Sequence, residues 1–72
     1  MLKKFEEEIK KARNCVELST LVSQIDFELF IKHGVQSEHH ETYLETANRI
    51  SGVAPAYANL FSLAETKWFE FA

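Results

Sequence analysis

Glycine stands only at positions 34 and 52 of this 72-residue chain, and proline only at 55. Few other residues stop a helix, so those three positions divide the chain. Between them the apolar residues recur at spacings of three and four, and no stretch alternates with period two over a useful length. The expected fold is therefore all-α. It is a three- or four-helix, bundle-like small domain, with helices over about 2–13, 15–33, 38–50 and 55–70, and residues 1–72 form a single helical domain.

In the first segment Leu2, Phe5, Ile9 and Ala12 make one narrow apolar stripe. Glu6–Lys10 and Glu7–Lys11 are i,i+4 pairs in the favourable order. The stripe then loses phase at Asn14-Cys15-Val16-Glu17, which reads as a capping box with Asn14 at the N-cap and Glu17 at N3. The second segment starts there and stops at Gly34, a natural residue just past a helix end.

That second segment is apolar on two sides. Leu18, Leu21, Val22, Ile25 and Leu29 share one face. Val16, Phe27, Phe30 and Ile31 lie about 180° away, at about 100° per residue. A helix of this kind has to be covered twice. The second segment is expected at the centre, with segments one and four on its first face. Its other face is left for segment three or a second protomer.

Ser37 is a candidate N-cap for segment three, with His40 at N3 and Glu38 and Glu41 in the first turn. The stripe there is Tyr43, Ala47 and Ile50, with Leu44 at its edge. Glu45–Arg49 is a further i,i+4 pair, and Gly52 ends the segment. Pro55 suits the first turn of a new helix. In this fourth segment Tyr57, Leu60, Phe61, Ala64, Trp68 and Phe71 fall within about 100° of arc. Leu63 and Phe69 project elsewhere. A single helix kinked at Pro55 is the weaker alternative.

The rest of the composition narrows the function. Cys15 is the sole cysteine, so no disulfide forms within the chain, and a lone thiol suits a reducing compartment. A cytoplasmic location is expected. The start of the chain, with its run Glu6-Glu7-Glu8, does not read as a signal peptide. Nowhere do eighteen apolar residues run together, so no membrane span is expected. A formal net charge of -3 argues against a nucleic-acid partner.

Groups able to do chemistry are present but poorly arranged. His33, His39 and His40 bracket a glycine-containing turn beside Glu38 and Glu41, which raises a histidine–carboxylate metal site as one alternative. Adjacent His39 and His40 would sit about 100° apart on a helix, and no H-E-x-x-H spacing occurs. Cys15 falls in a first helical turn, where a thiol pKa is lowered, yet no histidine is near it in sequence. The many carboxylates map to polar faces, with Asp26 and Glu28 flanking Phe27. No catalytic residue, metal ligand or cofactor is assigned, and the chain is not expected to be an enzyme.

The run from Ala47 to Phe61 resembles a helix-turn-helix, with Gly52, Val53, Ala58 and Phe61 at the turn and core positions of that pattern. The resemblance covers about a fifth of the chain and implies a small DNA-binding regulator using residues 44–65. The chemistry opposes it. Exposed positions of the second helix offer Asn59, Ser62, Glu65, Thr66, Lys67 and Glu70, a neutral to acidic face.

The expected function is a small protein–protein interaction module: a homo-oligomer, a subunit of a complex, or an inhibitor or accessory protein of a larger partner. Its partner is another protein chain or a second copy, a homodimer being favoured. The expected interaction residues are Val16, Phe27, Phe30, Ile31, Leu63 and Phe69, because one short protomer has too little interior to hide them all.

Overall fold

The computed structural model describes residues 2–71 as four helices, α1 (Leu2–Lys11), α2 (Cys15–His33), α3 (Tyr43–Ile50) and α4 (Pro55–Phe71). The fold is all-α and bundle-like. The radius of gyration is 11.0 Å, matching the value of about 11 Å expected for a compact chain of this length. The molecule is flat, with principal extents of 29 × 26 × 15 Å.

The local chemistry of the ends explains the helix boundaries. Asn14 caps α2: its side-chain oxygen accepts from the Glu17 backbone N–H at 2.9 Å. The reciprocal half of the box goes one residue further back, where Arg13 N–H donates to Glu17 Oε1 at 2.9 Å. Gly34 closes α2 in the left-handed region at φ 72°, and its N–H donates to the Phe30 carbonyl at 2.9 Å. Only glycine holds that conformation without steric cost.

Helix α1 stops at Lys11, two residues short of the expected end. Helix α3 differs more. It begins at Tyr43 rather than near residue 38, because Thr42 and not Ser37 is the cap. Glu45 N–H donates to Thr42 Oγ1 at 3.1 Å, and Thr42 N–H donates to Glu45 Oε1 at 2.8 Å. This closed box satisfies two end donors at once, which a Ser37 start offered no acid at N3 to do. Glu45 is thereby taken from Arg49, and the expected Glu45–Arg49 pair is replaced by Arg49–Glu41 at 2.8 Å.

Ser37 is used differently. Its N–H and its hydroxyl both donate to the Asp26 carboxylate at 2.7 Å. Arg49 in turn donates to the Gln36 carbonyl at 2.6 Å and to both Glu41 oxygens at 2.8 Å. The connection from α2 to α3 is thus strapped down at both ends.

The core is Ile9, Ala12, Leu18, Val22, Ile25, Leu29, Ala47, Ile50, Ala54, Tyr57, Ala58, Leu60, Phe61 and Ala64, all buried. These residues come from all four helices, the α1–α2 connection (Ala12) and the α3–α4 turn (Ala54). The central element is α4, not α2. Helix α4 packs on each of the other three, whereas α3 packs on α4 alone. Segment three therefore does not cover the second face of α2. Thr46 is the one fully buried polar side chain among the described residues, and its hydroxyl donates to Glu41 Oε1 at 3.0 Å.

Candidate functional site

The two faces of α2 meet opposite fates. Leu18, Val22, Ile25 and Leu29 are buried, and Leu21 is half-buried against them. Across the helix Val16 is 75% exposed, Phe27 67%, Phe30 51% and Ile31 65%. These four side chains do not collapse onto the molecule, because a body 15 Å thick has no second layer to lay over them.

The bare face is also uncharged. Val16, Thr20, Ser23, Phe27 and Phe30 follow one another at spacings of four, three, four and three. That is the spacing of a seam between two helices. Gln24 and Ile31 border the seam, and the nearest acids, Glu17, Asp26 and Glu28, sit toward its flanks. Thr20 lies exposed in it with its hydroxyl already donating to the Val16 carbonyl at 3.0 Å, so covering it strands no donor. Beside the seam an open groove of about 580 Å³ runs between α2 and Phe5 of α1, lined by Thr20, Ser23, Gln24, Phe27, Glu28 and Ile31.

The remaining expected interaction residues divide. Phe69 is 63% exposed, as expected from its angle on α4. Leu63 is not exposed: it is half-buried against the core, in a hollow it shares with Leu2 and Leu60. The flat packing of α1 along α4 covers it. Trp68 departs in the other direction. It was expected on the buried stripe but is 40% exposed, standing edge-on to Phe69 with ring centroids 5.2 Å apart.

Trp68 and Phe69 border a recess of about 280 Å³ with Glu41, Thr42, Tyr43 and Glu65. Burial pushes the Tyr43 phenol up, and the nearby Cys15 and Glu65 add to that. The Arg49 guanidinium, aided by the Glu38 backbone N–H and the Thr46 hydroxyl, lowers the Glu41 carboxyl to about 2. Sequence reading missed this recess, since Tyr43 and Glu65 are brought to one place only by the α3–α4 packing.

The other candidate groups are dispersed. His33 stands edge-on to Tyr57 with centroids 5.5 Å apart, and His39 and His40 pair with each other in the loop at 6.0 Å. Among the described residues, no three His, Cys, Asp or Glu side chains converge as a metal-ligand set. Cys15 is exposed in the first turn of α2. Glu28, flanking Phe27, accepts from the Tyr57 hydroxyl at 2.9 Å and pairs with Lys32 at 3.0 Å, and these contacts, Lys32 first, hold its carboxyl below the usual range.

Helices α3 and α4 do form a tight helix–turn–helix pair. The cation on the second helix is occupied, however: Lys67 donates to the Lys10 carbonyl at 2.9 Å and lies 3.5 Å from Glu70. No described helix is long and apolar enough to cross a membrane. The chain matches no protein-family model, no curated protein and no solved structure.

Proposed function

We propose that this chain works by binding another protein chain, and that the outer face of α2 is its docking surface for a second copy of itself. The carrying observation is the uncharged four-three-four-three seam of Val16, Thr20, Ser23, Phe27 and Phe30 on a face whose large side chains stand more than half exposed. Large apolar side chains aligned on one exposed face mark interaction sites.

Self-pairing suits the order of residues along the seam. In an antiparallel pair centred midway between Ser23 and Phe27, Phe27 of one copy faces Ser23 of the other, and Phe30 faces Thr20. Each large ring meets a small residue, which is how facing layers interdigitate. The two-fold axis repeats every contact, so one seam supplies both partners.

The area sets the strength. Four large side chains at this exposure offer roughly 400–500 Å², against about 800 Å² per partner in a standard interface. Phe5 and Gln24 beside the groove extend it only partly. The pairing is consequently transient, with a dissociation constant on the order of 10 µM. Since the seam is uncharged and each copy carries -3, salt relieves repulsion and strengthens the pair, the opposite of its effect on phosphate binding.

Sedimentation velocity from about 1 to several hundred µM tests the reading. The expected result is a concentration-dependent dimer that Phe27→Ser weakens at least tenfold and that moderate salt favours. A monomer across that range, or a dimer indifferent to Phe27→Ser, overturns it.

A further inference from the structure

A separate surface, to which α2 contributes no lining residue, has a chemistry of its own. We propose that the recess between the start of α3 and the last turns of α4 binds the guanidinium of an arginine side chain on a partner protein. Tyr43, Trp68 and Phe69 give it three aromatic rings, and Glu65 gives it a carboxylate.

The charges decide the sign of the ligand. Glu41, on the rim, is matched by Arg49 at 2.8 Å. Glu65 is half-buried and forms no ion pair among the described residues. A lining carboxylate with no counter-charge attracts a cation. Aromatic rings favour the same sign, because the quadrupole of a ring face attracts positive charge. The amino end of α3 would favour an anion, but the Thr42–Glu45 box already satisfies two of its donors and sets the Glu45 carboxylate there. An anion there would also face Glu65 and Glu41.

Size and shape decide the class. About 280 Å³ falls below the usual 300–1,000 Å³ of small-molecule pockets and suits a single side chain. A guanidinium is planar and weakly hydrated. It stacks on an indole while its fork of N–H groups reaches a carboxylate, which an ammonium does less well. Arginine rather than lysine is therefore the assigned ligand.

The chain carries its own reporter, since Trp68 is its only tryptophan. The probe is the peptide acetyl-Gly-Arg-Gly-amide, compared with the same peptide carrying citrulline, which keeps the shape and loses the charge. With the full chain in low salt, the arginine peptide is expected to change Trp68 fluorescence saturably, with a dissociation constant on the order of 1 mM. The citrulline peptide should bind at least tenfold more weakly. Glu65→Gln, nearly identical in shape, should weaken arginine binding by a similar factor while leaving helical circular dichroism unchanged. Equal binding of the two peptides, indifference to Glu65→Gln, or no saturable change up to tens of millimolar overturns the proposal. These outcomes are independent of self-association, which the sedimentation experiment reads at Phe27.

Discussion

The inner and outer faces of α2 are both built from large apolar residues on the same helix, yet one is core and the other is surface. Leu18, Val22, Ile25 and Leu29 lie at 0–6% exposure, whereas Val16, Phe27, Phe30 and Ile31 lie at 51–75%. The difference is not in apolarity, for the outer face holds both phenylalanines of the helix. It lies in what the rest of the chain can reach. Helices α4 and α1 pack on α2, and α3 is committed to α4. The strap of Asp26, Ser37, Gln36 and Arg49 holds the α2–α3 connection in the course that keeps α3 there. A helix thus becomes two-faced when its neighbours are fastened to one side.

Substitutions along α2 break this contrast most directly. Leu29→Ala on the inner face removes a fully buried side chain and leaves a cavity, so it should cost about 3 kcal/mol, a large share of the stability of so small a domain. Urea unfolding followed by circular dichroism reads this as a lower midpoint at nearly unchanged slope. A loss under about 1 kcal/mol would mean that the inner face is not the tightly packed side.

A smaller effect probes the strap. Glu41 has a carboxyl held at about 2 by Arg49, below its ordinary 4.5. A folded-state value below the unfolded one adds stability that is fully present above about 4.5 and fades as the pH falls toward 2. Between those limits the urea midpoint of the parent chain should fall more steeply than that of Glu41→Gln. Parallel curves would show that the Arg49–Glu41 contact does not hold the connection.

The smallest effect belongs to the outer face. With the chain diluted to the monomer, Phe27→Ser should shift unfolding by no more than about 0.5 kcal/mol, since the ring is 67% exposed. A cost near that of Leu29→Ala would erase the distinction between the two faces. Together with the sedimentation experiment, this separates a residue that supports the fold from one that serves an encounter.

Much of the architecture was legible from spacing and end chemistry. The ends of α2 follow from Asn14 and Gly34, and the start of α4 follows from Pro55. The four residues of the outer face were grouped by angle alone, but their exposure was not legible, since segment three could have covered them until its packing on α4 was known. The start of α3 was not, because Ser37 and Thr42 are both good caps, and only Asp26, eleven residues upstream of Ser37, determines which of them is spent elsewhere. The hub was misassigned for a related reason. A two-sided apolar pattern looks central, but its centrality depends on contacts that no single segment encodes. Leu63 and Trp68 exchanged places because α1 lies along α4 closer to Leu63 than helical angle could reveal. The aromatic recess depends on the same packing of α3 on α4, and so left no local trace.

The reliance of every other helix on α4 bears on how the molecule comes into being. Helix α3 touches only α4, and α2 buries its inner face chiefly there, so α1 to α3 have little to condense around by themselves. Because α4 follows them in the chain, a ribosome threads out three unfinished amphipathic pieces before their organiser emerges. Acquisition of structure should therefore wait for α4 and then be abrupt, with the uncharged ridge of α2 open to chance encounters in the interval.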